Sequence, residues 1–436
     1  MLHLFRRIVP KSIINLYHLF LSWSGALWYG HPSRKLLVIG VTGTTGKSTV
    51  VEMLAAVFRY AGRKVGVAST IRFQIGDEST VNNEKMTMVG RWKLQKLLRR
   101  MVDAGCSVAV LETTSQGLAQ NRHIGIDYDC ALITNLSPEH IESHGSFKAY
   151  SEAKQRLFSA LSHTYRKFGI PKTCVVNLSI SDAQYFLQFP ADKRIGFSLQ
   201  PVSPQRELSA ILVPQSLATT ERGSTFVLDD QQFNIPLPGV FNVENALAAI
   251  AVARAYDIPL ATIVSALETM RGIPGRFEIV VKEPFHVIVD YAHEPAGLEA
   301  VYQAAQALHP NRIIAVLGAA GGGRDKWKRP VLGKIAASYA QFVIVTNEDP
   351  YDEDPVAIIN QVAVGAAMHG KTDGETLFRI VDRKEGIAKA LSLARPGDIV
   401  LITGKGSEQV MVVKGGRKIP WNDQETVRKL LRHGNE

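Results

Sequence analysis

Short, unbroken apolar runs separated by helical stretches constrain this chain more than any other feature. "KLLVIGV" (35–41), "KVGVAST" (64–70), "SVAVLETTS" (107–115), "CALITN" (130–135) and "TCVVNL" (173–178) do not alternate apolar with polar residues. Each therefore reads as a strand covered on both faces, the signature of a parallel sheet. Between them, Val50, Met53, Leu54, Val57 and Phe58 fall on one helical stripe that Gly62 is placed to end, and "RWKLQKLLRRMVDAG" has the same period.

The rhythm changes near 190. Residues 190–235 are polar, with alternating pieces such as "STFVLDD" and "QFNIPL", and read as an antiparallel addition. A helical pair follows, "NVENALAAIAVARAYD" and "PLATIVSALETM", and "RGIPGR" (271–276) reads as a hinge. Beyond it the strand–helix rhythm restarts with "HVIVDYA", "RIIAVLGAA", "FVIVTNEDP" and "DIVLITGKG". The expected fold class is α/β: a central phosphate-loop domain with a mostly parallel sheet, then a Rossmann-like C-terminal domain. The expected boundaries are 1–35 (an apolar helical segment), 36–272 and 273–436.

Composition adds bounds rather than direction. With 46% apolar and 21% charged residues, the chain has ample core. Cys106, Cys130 and Cys174 are scattered, with neither a zinc spacing nor a disulfide framework, so a reducing cytoplasm is the default. The net charge of +10 fits solubility and attraction to small anions. No basic tract with interleaved aromatics argues for nucleic acid. The N-terminal stretch carries Arg6, Arg7 and Lys11 and then apolar residues from Ile13 to Trp28. That run is too short to span a bilayer and has no signal-peptide cleavage pattern. A buried helix and an interfacial helix in peripheral membrane contact through residues 1–30 both stand open.

"GVTGTTGKST" (40–49) follows the first strand and opens a helix. Backbone N–H groups at a helix N-terminus favour an anion. Lys47 adds a point charge, and the Ser48 hydroxyl suits Mg²⁺. The full eight-residue phosphate-loop pattern would need glycine at Val41, so this is a departure. In "LETTSQGL" (111–118), Glu112 ends a buried strand, where a parallel sheet gathers its ligands. In "TNLSPEHIESHGSFKAYSEAKQRLF" (134–158), His140, Glu142 and His144 follow another strand end, and Lys154 lies on the next helix. Taken alone, that last cluster is a surface loop more often than a metal site.

Together these three stretches resemble the Mur ligase family, whose members join amino acids to the peptide stem of peptidoglycan precursors, and most closely its MurE type. The similarity runs from about 36 to 428. It implies that Gly43, Thr44, Thr45, Gly46, Lys47, Ser48 and Thr49 hold the ATP phosphates. It implies that Ser48, Glu112, His140 and a carbamylated Lys154 serve Mg²⁺, with Lys47, Lys154 and His140 catalytic. Asn245 in "GVFNVENALAA", Arg276 in "GRFE" and Asp290 in "VDYAHEP" match positions at the nucleotide. Thr87, Thr114, Ser115, Glu348, Asp349, Gly404 and Glu408 match positions at the muramyl-peptide and the incoming amino acid. Within "GKGSE", Ser407 stands where the family often has histidine. "GAAGGGRDKWKRP" (318–330) resembles the family's C-terminal glycine-rich turn.

Two departures bear on substrate. Where family members that add diaminopimelate have D-N-P-R, this chain reads "EDPY" (348–351), without an arginine to fork onto a distal carboxylate. The family also places a UDP-gripping domain ahead of the phosphate loop, where this chain has residues 1–35. The carrier implied is a muramyl-peptide, UDP-linked or lipid-linked, and the second substrate a free amino acid. The expected location is cytoplasmic, with association at the inner face of the membrane left open together with the role of the N-terminal helix. A folylpolyglutamate-synthase-like ligase is the alternative of related fold.

Overall fold

The computed structural model describes residues 11–433. Expectations that rest on residues 1–10, Arg6 and Arg7 among them, lie outside the described residues.

The apolar runs form strands close to where the sequence puts them. β1 (Leu37–Thr42), β2 (Val65–Ala68), β3 (Arg72–Ile75), β4 (Glu78–Val81), β5 (Val108–Glu112), β6 (Cys130–Ile133), β7 (Thr173–Asn177), β8 (Lys193–Phe197) and β9 (Ala210–Leu212) share one sheet, ordered β4-β3-β2-β5-β1-β6-β7-β8-β9. All neighbours from β2 to β9 pair in parallel, while β3 and β4 form an antiparallel hairpin on one edge. Successive residues face opposite sides. Ile39 and Val41 point into a core under the helices Lys47–Tyr60, Val240–Ala255 and Leu260–Glu268. Val38 points into a second core under Arg91–Asp103 and Phe147–His163.

The segment 190–235 divides in two, which corrects the sequence reading. β8 and β9 extend the parallel sheet. Only β10 (Ser216–Thr220), β11 (Gly223–Leu228) and β12 (Gln231–Ile235) form a separate antiparallel sheet. The alternation is genuine in β11 and β12, whose Phe226 and Phe233 stack with centroids 4.7 Å apart. β8 lies inside the sheet with only Lys193 and Arg194 half-buried, and β9 is its exposed edge.

The second sheet runs β13 (Glu278–Val281), β14 (His286–Asp290), β18 (Ile399–Thr403), β15 (Ile313–Leu317), β16 (Phe342–Thr346), β17 (Leu377–Ile380). It is parallel except for β13, and helices cover both faces. A hairpin of β19 (Val410–Val413) and β20 (Arg417–Pro420) follows β18. Sequence reading missed β13, β17 and this hairpin, because all are short and partly exposed.

The helix Lys11–Trp28 packs through small residues. Ser22 and Ala26 are buried, and Ser22 Oγ donates to the Asn121 carbonyl at 2.8 Å. Its large apolar residues face outward: Leu16, Phe20 and Trp23 are 68%, 66% and 59% exposed. The helix is therefore docked without burying its large apolar face. No helix among the described residues is long and apolar enough to cross a membrane.

Candidate active site

The carboxyl ends of β1, β5 and β6 meet where the strand order reverses, the usual ligand position in such a sheet. The phosphate loop leaves β1 there. Gly43 has φ 143°, and a Cβ on it would lie 1.9 Å from Thr134 Oγ1. Gly46 has φ 76°, and a Cβ would lie 2.2 Å from Asn245 Oδ1. Both positions therefore need glycine. Val41, where the longer motif has glycine, is inside β1 with no exposed surface, so the turn begins at Gly43 instead. The Asn135 side chain accepts from the Thr44 and Thr45 N–H groups, at 3.2 and 2.9 Å, and stiffens the turn.

One cavity of about 540 Å³ is lined neither by Glu142 and His144 nor by Ser407, but by every site residue the resemblance implies except Gly43 and Lys154. Those two touch each other, since Lys154 Nζ donates to the Gly43 carbonyl at 2.7 Å. The cavity lies between the carboxyl ends of both sheets, so chain segments far apart in sequence build it together.

On the first sheet, Glu112 accepts from Ser48 Oγ at 3.0 Å, and also from the Thr70 N–H (2.8 Å) and hydroxyl (3.1 Å). Thr87 joins this group through the Thr70 hydroxyl at 2.7 Å. Thr114 caps the short helix that carries Ser115, whose Oγ lies 3.2 Å from His144 Nε2. Lys47 Nζ donates back to the Gly43 and Thr44 carbonyls, at 3.0 and 2.6 Å.

Lys154 is buried and makes no ion pair among the described residues; its ammonium lies 4.3 Å from the Tyr150 ring centroid. Burial, and then the Lys47 charge, hold its pKa well below that of an ordinary lysine. His140 is pulled down to about 4 by burial, which outweighs Glu139.

The second sheet supplies the opposite wall. Arg276 Nη2 reaches Ser48 Oγ at 3.1 Å, and its guanidinium lies over the Tyr291 ring at 4.4 Å. Asp290, which the resemblance sets at the nucleotide, stands at the cavity and also holds backbone. It lines the cavity, but its two oxygens accept from the Phe277 and Ala292 N–H groups, both at 2.6 Å. It fastens the turn after β14. Arg383 is fully buried against Asp423 and donates to the Thr403 and Asn347 carbonyls, at 2.9 and 3.3 Å. It thus fixes the ends of β16 and β18, from which Glu348, Asp349, Gly404 and Glu408 project. A Cβ on Gly404 would lie 2.5 Å from Glu348 Oε2, so the two loops approach as closely as glycine allows.

Sequence reading missed four groups. Glu139 sits between His140 and His293, whose Nε2 atoms are 3.5 and 3.6 Å from its Oε1. Burial alone would raise the Glu139 pKa, but His140, His293 and Lys328 hold it well below the usual carboxylate value. Glu294 is buried, and neither carboxylate oxygen has a hydrogen-bond partner among the described residues. Burial and the nearby Glu139 raise it to about 7. Lys85 crosses to Asp349 and Glu408. "DYAHEP" placed His293 and Glu294 beside a strand end, the one signal available; Lys85 and Glu139 carried none.

The donor set fits a Mg²⁺ brought in with phosphates. Mg²⁺ commonly binds through one or two carboxylates and substrate oxygens while keeping its waters, and the Ser48–Glu112 pair at the phosphate turn offers that. Among the described residues no three His, Cys, Asp or Glu side chains group as a cage.

The Mur ligase middle domain model matches residues 41–253, and the Mur ligase glutamate ligase domain model matches 275–406. A UDP-N-acetylmuramyl-tripeptide synthetase of Roseiflexus sp. is 38% identical over 423 residues, covering 93% of this chain and 80% of the relative. A UDP-N-acetylmuramoyl-L-alanyl-D-glutamate–2,6-diaminopimelate ligase of Bacillus licheniformis is 36% identical, covering 97% and 84%. A solved structure of a ligase of that second type superposes with TM-score 0.60 at 31% identity, covering 92% of this chain and 79% of that one. Folylpolyglutamate synthase of Mycobacterium tuberculosis has TM-score 0.68 at 17% identity, covering 88% and 92%, a likeness of fold alone. With two family domains in order and relatives similar across nearly its whole length, the chain belongs to the Mur ligase family.

Proposed function

We propose that this chain is an ADP-forming acid–amino-acid ligase that adds an amino acid to a muramyl-peptide precursor in peptidoglycan biosynthesis. The observation that carries this reading is the single cavity lined by the phosphate turn, Glu112, Arg276 and the β16 and β18 ends. A substrate carboxylate attacks the γ-phosphate of ATP, giving an acyl phosphate and ADP. The amine of the incoming amino acid then attacks the acyl carbon and phosphate leaves.

Lys47 and Arg276 supply positive charge where two anions must meet. Mg²⁺, held at Ser48 and Glu112, would neutralise phosphate charge. His140 and a carbamylated Lys154 complete the proposed metal-binding group. Support for the carbamate is a buried amine that makes no ion pair among the described residues, beside the phosphate turn. Closure of both sheets over the cavity keeps water from the acyl phosphate.

The chain divides, on this reading, into an N-terminal helical segment to 35, a nucleotide-binding domain to 272 and an amino-acid-binding domain from 273. The carrier is UDP-linked or lipid-linked. The outward apolar face of the Lys11–Trp28 helix supports a cytoplasmic enzyme resting on the inner face of the membrane.

The test is the product. Purified protein, ATP, Mg²⁺, muramyl-dipeptide carriers and single amino acids are incubated together. The expected outcome is a new species heavier by one amino-acid residue; its absence with every pairing rejects the reading.

A further inference from the structure

The ammonium of Lys85 is a charged group in the cavity to which the ligase reading gives no task. It belongs to the loop between β4 and the helix Arg91–Asp103, with φ 55°. Its Nζ lies 2.7 Å from Asp349 Oδ2 and in contact with Glu408 Oε2, partners 264 and 323 residues away. Lys418 of β20 ties down the same loop by donating to the Asn83 carbonyl at 3.0 Å.

The two carboxylates already own a cation. Lys405 Nζ lies 2.9 Å from Asp349 Oδ1 and 2.8 Å from Glu408 Oε2, and also donates to the Val410 carbonyl at 2.8 Å. It has no exposed surface and approaches from inside the domain. Although burial works against the Lys405 charge, Glu408 and Asp349 more than offset it and raise its pKa. Lys85 faces the same two acids from the cavity side, and there burial prevails and lowers the pKa. Lys405 is the resident cation and Lys85 the exchangeable one. Two carboxylates with one resident ammonium leave a net negative seat, shaped for a second ammonium arriving from the cavity. Glu348 adds a buried oxygen without a hydrogen-bond partner among the described residues, and Tyr351 lines the same part of the cavity.

We propose that Lys85 is a tethered stand-in for substrate. Its Nζ occupies the seat of the side-chain ammonium of the incoming amino acid, and the 82–89 loop yields that seat when an amino acid with a cationic side chain binds. The inference rests on the reading of the β16 and β18 ends as the amino-acid site. Lys85 then both selects for a ligand that can compete with it and keeps the cavity closed until one arrives.

The experiment is equilibrium binding by calorimetry to the full chain, with L-lysine and its uncharged isostere L-norleucine as probes. Lys85→Met is expected to bind L-lysine about tenfold tighter than the unchanged chain, a typical worth for one charge-assisted contact. L-norleucine is expected to bind neither protein measurably. Equal or weaker L-lysine binding by Lys85→Met, or norleucine binding as tight as lysine, overturns the proposal. A second measurement needs no variant. Acylation of Lys85 by an amine-reactive reagent, read by peptide mass, is expected to speed up with L-lysine and not with norleucine; equal rates overturn the proposal. Lysine binding without any ATP turnover would sink the ligase reading alone. Turnover with a different amino acid, and no lysine binding, would sink this inference alone.

Discussion

Arg276 donates to the Ser48 hydroxyl at 3.1 Å, although 228 residues separate them. One residue lies on the phosphate turn and the other just before β13, so the contact joins the two sheets across the cavity. A guanidinium held there, with one face on Tyr291, is placed to meet ATP phosphates. Arg276→Ala is expected to raise KM for ATP at least tenfold, since a charge-assisted hydrogen bond is worth about 1.5–3 kcal/mol. Steady-state kinetics with ATP varied checks this.

Lys154→Ala removes the amine that carries the proposed carbamate. Activity is expected to fall by about 100-fold or more, the scale for losing a group that stabilises developing charge. Added acetate or formate is expected to restore part of it, because a small carboxylate can enter the space beside the Gly43 carbonyl. A lack of rescue across a range of short carboxylates would argue against the carbamate.

The strand–helix rhythm made both parallel sheets legible, because a strand buried on two faces must be continuously apolar. The phosphate turn, Glu112 and Lys154 were legible through local motifs. Asp290 was legible at the end of β14, but its bonds to the Phe277 and Ala292 amides were not, since they depend on how the following turn folds back. β8 and β9 were misread because β8 is short and opens on the charged Lys193 and Arg194, while β9 is an exposed edge strand. Lys85 was invisible, as its partners lie more than 260 residues away. Glu139 and Glu294 look like ordinary surface acids until the two sheets are brought together.

Glu294 should leave a signature in stability against pH. Its folded pKa of about 7 lies above the ordinary 4.5. Below pH 4.5 it is neutral folded and unfolded, and nothing is lost. As pH rises towards 7 the unfolded chain gives up this proton first, so folding loses stability, fully so above 7. Glu294→Gln is expected to gain on the order of 3 kcal/mol over the unchanged chain at pH 8, with the gain shrinking towards pH 5. Denaturant melts at both values check the sign. A gain that grows on acidification contradicts it.

The outward face of the Lys11–Trp28 helix predicts adsorption to lipid. The full chain is expected to co-sediment with vesicles that contain anionic phospholipid. Replacing both Phe20 and Trp23 by aspartate is expected to weaken partitioning at least tenfold, given about 0.8 kcal/mol per buried methylene. Co-sedimentation that the double substitution leaves unchanged would place lipid contact elsewhere or nowhere.

The most direct measurement is phosphate release from ATP by the purified chain, with carrier and amino acid each present or omitted, and with Lys47→Ala beside it. The account predicts release only when both co-substrates are present, and none from Lys47→Ala. Release from ATP alone, or undiminished release from Lys47→Ala, would contradict the claim that this cavity couples ATP to amide formation.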